Sequence, residues 1–176
     1  QGKKKMEDFK KFIRDIPDFP SKGIVFKDIT PLLSNGKKFK ELIDVFYERY
    51  KDKKLDKIVG IEARGFIFGS ALAVKLGVGF VPVRKKGKLP YKTVSCSYEL
   101  EYGQDTLEMH QDAINPNDRV VLIDDLLATG GTASAVAGMI TKFSGKIIEI
   151  AFFINLTFLN GKDKLKNYQV YSVLDL

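Results

Sequence analysis

Four short segments of the chain are nearly continuous runs of apolar residues, rich in β-branched and aromatic side chains. They are KIVGI (57–61), GFVPV (79–83), RVVLID (119–124) and IIEIAFFIN (147–155). Continuous apolar character is typical of strands that are buried on both faces, as in a parallel sheet. The pattern therefore predicts four buried strands.

Helical periodicity occupies the intervals between these runs. Apolar residues recur at three- and four-residue steps from Phe39 to Phe46, and again from Val136 to Phe143 within TASAVAGMITKF (132–143). Helix-forming residues also make up GSALAVKL (69–76). The alternation predicts an α/β fold with a mostly parallel, twisted central sheet flanked by helices.

Two segments interrupt the alternation. Residues 17–33 contain three prolines and a glycine among apolar residues, so they cannot form one regular helix, yet they are too apolar for an unpacked loop. Further along, SYELEYGQDTLEMH (97–110) alternates polar and apolar residues around Glu101, Tyr102 and Gly103. This second pattern predicts two strands joined by a mobile tip.

Length and composition indicate one domain spanning residues 1–176, because 176 residues with 44% hydrophobic content can bury a sizeable core. No run of about 18 apolar residues and no signal-peptide pattern occurs, so we expect a cytoplasmic protein with no membrane partner. The single cysteine, Cys96, favours a reducing compartment and a structural role. We interpret residues 1–5, which precede Met6, as a non-native remnant at the N-terminus.

The net charge is +7 and the sequence pI is about 9.3. The lysines are scattered and no recognition motif with interleaved aromatic residues is present, so we expect no nucleic-acid partner. Positive charge also suits a small anionic substrate, because a cationic cleft concentrates phosphates.

The segment VVLIDDLLATGGT (120–132) combines an apolar strand, two acids and a glycine turn before the next predicted helix. Ligands of parallel sheets collect at the carboxyl ends of the strands, and a glycine turn at a helix start can cradle a phosphate. Carboxylates there would accept hydrogen bonds from ribose hydroxyls. Read alone, the same residues also fit an ordinary loop, a helix cap or a direct metal site. Neither a P-loop nor a G-x-G-x-x-G motif occurs.

VVLIDDLLATGGTASA (120–135) resembles the phosphoribosyl-pyrophosphate (PRPP) motif of type I phosphoribosyltransferases. Further segments resemble adenine phosphoribosyltransferase, and the resemblance runs from about Asp15 to Phe158. They are DFPSKGIVFKDITPLL (18–33), GIEARGFIFG (60–69), VRKKGKLP (83–90) and SYELEYGQDTLEMH (97–110). The resemblance implies the type I phosphoribosyltransferase fold with a small N-terminal hood (17–33) and a mobile β-hairpin lid (94–110).

The resemblance also implies the reaction and its participants. The 5-phosphoribosyl group passes from PRPP to N9 of adenine, giving AMP and pyrophosphate. Magnesium is required and is held mainly by PRPP, pyrophosphate and water, with no direct protein ligand. A homodimer is implied.

Residue roles are implied by the same resemblance. Ribose hydroxyls bind Asp124 and Asp125, and the 5′-phosphate binds Ala128, Thr129, Gly130, Gly131 and Thr132. Pyrophosphate binds Ala63, Arg64, Arg84 and Lys88, the last two reaching a neighbouring subunit's site. Adenine binds Val25, Phe26, Lys27 and Leu156. Glu101 is the catalytic residue, beside Tyr102 in the lid.

Several residues are interpreted differently or depart from the family pattern. We expect Lys85 and Lys86 to be solvated and His110 to be structural. Lys27 replaces the arginine typical of its position, and Asn155 stands where some relatives carry an acid. Two alternative functions are a phosphoribosyltransferase for a 6-oxopurine or other base, and a PRPP-sensing regulator that binds nucleic acid. The presence of Glu101 favours an enzyme over the regulator.

Overall fold

The computed structural model describes residues 2–100 and 103–176, apart from the side chains of residues 3–5. The chain divides into two compact units, residues 1–48 and residues 49–176. The expectation of one domain over residues 1–176 stays a prediction.

The first unit contains short helices and a two-stranded antiparallel sheet. Its elements are α1 (Gly2–Glu7), a 3-10 helix (Asp8–Phe12), β1 (Arg14–Pro17), β2 (Val25–Asp28), α2 (Thr30–Ser34) and α3 (Gly36–Tyr50), whose last two residues belong to the second unit. Residues 17–33 therefore hold the end of β1, a turn, β2 and most of α2, as the prolines predicted. The turn is stabilised by the backbone N–H of Gly23, which donates to Asp18 Oδ1 at 2.7 Å.

The second unit is built on a seven-stranded sheet with the order β5-β6-β4-β3-β7-β8-β9. Its strands are β3 (Lys57–Ile61), β4 (Gly79–Lys85), β5 (Thr93–Glu99), β6 (Gln104–His110), β7 (Arg119–Leu127), β8 (Lys146–Asn155) and β9 (Val170–Asp175). The neighbours in the series β4, β3, β7, β8 and β9 pair in parallel. Strands β5 and β6 pair antiparallel. The four predicted strands and the mostly parallel sheet are confirmed.

The helices of the second unit are α4 (Arg64–Leu76) and α5 (Gly131–Lys142), followed by 3-10 helices at Thr157–Leu159 and Gly161–Leu165. The apolar residues of α5, including Val136 and Ile140, are fully buried against sheet residues such as Leu122. This burial explains the helical period in the sequence. No helix in the described part of the chain is long and apolar enough to span a membrane.

Candidate active site

The carboxyl end of β7 carries the two adjacent acids, Asp124 and Asp125. β7 pairs with β3 only as far as the register Gly60–Ile123, but it continues beside β8 to Leu127. The acids therefore lie within a strand, whereas the sequence placed them at its exit. Because this part of β7 pairs with β8, the backbone of both acids is held in the sheet beyond the last residue of β7 that pairs with β3.

Arg64 lies beside the acid pair. Its Nε is 2.7 Å from Asp125 Oδ2, and the backbone N–H of Asp125 donates to Asp124 Oδ1 at 2.8 Å. Burial raises the pKa of Asp124 well above its ordinary value, and the negative charge of Asp125 raises it further. Hydroxyl groups donating to Asp124 would favour its charged form, so a polyhydroxylated ligand suits this position.

The first turn of α4 approaches β7 closely because residue 65 is glycine. A Cβ added at Gly65 would lie 3.0 Å from Asp124 Oδ1 and 3.0 Å from the carbonyl oxygen of Ile123. Ala63 precedes the helix, after a cis peptide bond from Glu62. The close approach brings Arg64 and the start of α4 to the acids.

These elements enclose an open cleft of about 240 Å³. Five residues with predicted roles line it, namely Ala63, Arg64, Asp124, Asp125 and Thr132. The remaining lining residues are Ile61, Glu62, Lys85, Tyr98, Leu107 and Leu126. The structure thus brings together predicted residues that are up to 69 positions apart in the chain, as a site between strand ends requires.

A second, smaller cavity of about 80 Å³ adjoins the turn before α5. It is lined by Asp124, Leu126, Ala128, Thr129, Gly130, Gly131, Thr132, Ala133 and Phe152. Gly130 adopts a left-handed conformation with φ of 83°, and α5 begins at the next residue. Backbone N–H groups at a helix start point outward and favour an anion, so the turn fits a phosphate.

Comparison with known proteins shows the family to which the chain belongs. The family profile described as "Phosphoribosyl transferase domain" matches residues 28–175. An adenine phosphoribosyltransferase of Syntrophotalea carbinolica is 57% identical over 169 residues, covering 96% of this chain and 99% of the relative. The chain belongs to the adenine phosphoribosyltransferase family.

Solved structures agree with this assignment. The enzyme of Thermoanaerobacter pseudethanolicus superimposes with a TM-score of 0.94 at 51% identity, covering 97% of this chain and 99% of the other. The Saccharomyces cerevisiae enzyme gives a TM-score of 0.92 at 42% identity, with the same coverage. That structure contains adenine and D-2,5-dideoxy-2,5-imino-altritol 1,6-bisphosphate. The predicted α/β fold of the family is confirmed.

The cationic run that begins at the end of β4 differs from the expectation. We expected Lys85 to be solvated, but it lines the cleft. Its Nζ is 3.0 Å from Asp105 Oδ2. Arg84 and Lys88 are not among the lining residues, and Arg84 Nε lies 3.5 Å from Glu62 Oε1. A charge run does not show which side chain faces inward, because the pairing of β4 with β6 decides that.

The predicted lid is a β-hairpin in which β5 and β6 pair from Thr93–His110 to Glu99–Gln104. Glu101 and Tyr102 lie outside the described residues, so their roles stay predictions. The sequence motifs do not indicate Tyr98, although the strict alternation along β5 places it on the inner face of the strand. Its hydroxyl donates to Asp105 Oδ2 at 3.2 Å. Burial raises the pKa of Tyr98, and a hydrogen bond with the Thr132 side chain opposes that shift.

The residues predicted to bind adenine lie in both units. In the first unit, Val25 is half exposed, the Phe26 ring contacts Phe19 edge-on at 5.2 Å, and Lys27 Nζ lies 2.7 Å from Asp15 Oδ1. In the second unit, Leu156 is buried and follows β8.

Two further residues bear on the sequence expectations. Asn155 is 4% exposed and donates through Nδ2 to Asp175 Oδ1 at 2.9 Å. His110 accepts a hydrogen bond from the backbone N–H of Tyr91 at 3.3 Å. That contact suits the structural role expected of His110.

Proposed function

We propose that the cleft transfers the 5-phosphoribosyl group from PRPP to N9 of adenine, giving AMP and pyrophosphate for purine salvage. The observation that carries the proposal is the match to adenine phosphoribosyltransferases over nearly the whole chain. The acid pair and the glycine turn, joined by one strand, supply the groups that a ribose 5-phosphate needs.

The ribose hydroxyls bind the carboxylates of Asp124 and Asp125, and the 5′-phosphate binds the turn from Ala128 to Thr132. Support comes from the position of the acids beside the cleft and of the turn beside the smaller cavity, with Asp124 lining both. A sugar phosphate spanning the two spaces would place its hydroxyls and its phosphate on groups of suitable polarity.

Pyrophosphate leaves from the anomeric carbon beside Ala63 and Arg64. The Arg64–Asp125 ion pair holds the guanidinium next to the proposed ribose site, so little reorganisation is needed when negative charge grows on the leaving group. In the described residues, no group of three or more His, Cys, Asp or Glu side chains is arranged to hold a metal ion. Following the family resemblance, magnesium would bind as part of the PRPP complex and neutralise charge on the diphosphate.

Arg84 and Lys88 serve the pyrophosphate site of a neighbouring subunit in a homodimer. Their position outside the lining of this chain's own cleft supports that assignment. Lys85, which does line the cleft, adds positive charge within the subunit.

Adenine binds against Phe26 and Leu156, with main-chain groups of Val25 and Lys27 reading its edge. A backbone C=O and N–H can select the amino group and N1 acceptor of adenine over the reversed polarity of a 6-oxopurine. The Lys27 side chain pairs with Asp15, so a main-chain role does not depend on the arginine typical of this position.

Bond breaking gives the anomeric carbon cationic character, which water would attack. A hairpin lid that closes before the chemical step excludes water. Glu101 acts as the acid–base group that transfers the purine-ring proton as N9 attacks. Support for the lid is the observed hairpin of β5 and β6. The reaction takes place in the cytoplasm, in line with a single cysteine and a reducing compartment.

The direct test is incubation of the protein with PRPP, magnesium and adenine, followed by chromatography of nucleotides and assay of pyrophosphate. We expect AMP and pyrophosphate in equal amounts. Release of pyrophosphate without AMP would indicate hydrolysis, and no turnover with any purine base would refute the proposal.

A further inference from the structure

The 3-10 helix Gly161–Leu165 packs directly on the turn proposed to hold the 5′-phosphate. A Cβ added at Gly130 would overlap the carbonyl oxygen of Gly161, and a Cβ added at Gly161 would overlap the carbonyl oxygen of Ala128. Two glycines therefore allow backbone-to-backbone contact. The contact fixes the position of the 3-10 helix relative to the start of α5.

Lys164 is the residue that this packing brings over the turn. Its Cβ is 3.3 Å from the Cβ position of Gly130, and its Nζ is 3.8 Å from the Cβ position of Gly131. Thr129 Oγ1 is also 3.8 Å from that second position. The ammonium and the hydroxyl are thus no farther apart than twice this distance. One phosphate group can bridge such a pair, because two hydrogen bonds of about 2.8 Å to its oxygens span roughly 5–7 Å.

The charge balance of the smaller cavity calls for a cation. Among the described residues that line it there is no lysine or arginine, and the one ionisable side chain is the acid Asp124. A dianionic phosphate there would meet backbone N–H groups and hydroxyls but no formal positive charge. Lys164 stands beside the lining residue Gly131, is exposed, and has no ion pair or hydrogen-bond partner among the described residues.

We propose that Lys164 binds the 5′-phosphate of PRPP and AMP, supplying the positive charge that the glycine turn lacks. The proposal rests on the proposed function only in taking this turn as the phosphate site. The Lys164 side chain is exposed and its ammonium lies beside Gly131, the first residue of α5, where a phosphate on the turn can accept its hydrogen bonds.

The test compares Lys164→Gln with Lys166→Gln, a matched change of another exposed lysine in the same segment. Calorimetry would measure binding of AMP, ribose 5-phosphate and adenosine to each variant. Lys164→Gln should weaken both phosphorylated ligands by about 5–20-fold and leave adenosine unchanged, since one partly solvated charge-assisted bond is lost. Lys164→Arg should recover part of the loss, and Lys166→Gln should match the wild type.

Equal binding of ribose 5-phosphate by Lys164→Gln and the wild type, in variants with unchanged melting temperature, would overturn the proposal. So would an equal loss in Lys166→Gln, because the effect would then be that of general surface charge. Ribose 5-phosphate binding needs neither adenine nor phosphoribosyl transfer. A protein that fails to make AMP yet shows the Lys164 effect would contradict the proposed reaction while supporting this phosphate contact.

Discussion

Replacing both acids, Asp124→Asn together with Asp125→Asn, should weaken PRPP binding in a protein that still folds. Each carboxylate is proposed to accept a charge-assisted hydrogen bond from ribose, worth about 1.5–3 kcal/mol. At 1.4 kcal/mol per decade, each single change should raise the Kd for PRPP by about 10- to 150-fold. Because the two residues are hydrogen-bonded to each other, the effects will not simply add. We expect at least about a 100-fold loss in the double variant.

Stability should respond in opposite directions to the two single changes. Burial holds the pKa of Asp124 in the folded protein well above the unfolded value of 3.8. Between these two pKa values the unfolded chain loses the proton more readily than the folded protein, so the stability of the fold decreases as the pH rises. Above the folded pKa the loss of stability is complete. Asp124→Asn removes that cost and should raise the melting temperature at neutral pH by a few degrees, for a typical gain of about 0.5–2 kcal/mol. The gain should shrink as the pH falls toward 3.8. Asp125→Asn breaks the ion pair with Arg64 and should lower the melting temperature.

Calorimetry with PRPP and thermal unfolding at neutral and acidic pH would measure both effects. Asp112→Asn, a change of an exposed acid, is the control and should alter neither quantity. A folded double variant with wild-type PRPP affinity would make the acids structural and refute the ribose assignment. A lower melting temperature for Asp124→Asn at neutral pH would refute the electrostatic argument.

Two further predictions concern the lid and the packing of α4. Glu101→Gln should lower kcat by about 10²- to 10⁴-fold in single-turnover kinetics while PRPP affinity hardly changes, and a wild-type chemical rate would remove Glu101 from the mechanism. Gly65→Ala places a Cβ 3.0 Å from Asp124 Oδ1 and should cost about 1–3 kcal/mol, lowering the melting temperature by several degrees. Gly138→Ala in α5, where a Cβ would meet nothing within 4 Å, should instead be neutral or stabilising, so equal melting temperatures for the two would contradict the packing argument.

The sheet was predictable because its central strands are buried on both faces, which leaves continuous apolar runs such as residues 57–61. The extension of β7 to Leu127 was not, since two acids resemble a strand exit and only the non-local pairing with β8 keeps them in the sheet. Likewise, the lysine run showed positive charge near the site but not that Lys85 faces the cleft. The direction of each side chain depends on strand register, which a local pattern does not specify.

The proposed nucleotide site likewise combines residues that a motif indicates with a residue that only a tertiary contact reveals. Its acids and glycine turn are adjacent in sequence and were found there. Lys164 is 33 residues beyond Gly131 and reaches the turn only through the packing of Gly161, so no local spacing indicates it.

The most direct test of the central claim is the ratio of kcat/KM for adenine to kcat/KM for hypoxanthine, with PRPP and magnesium fixed and nucleotide formation followed for each base. The proposed main-chain donor and acceptor should favour adenine by at least about 10⁴-fold, because hypoxanthine would leave buried polar groups unpaired. Comparable values for the two bases would contradict the assignment of this cleft to adenine.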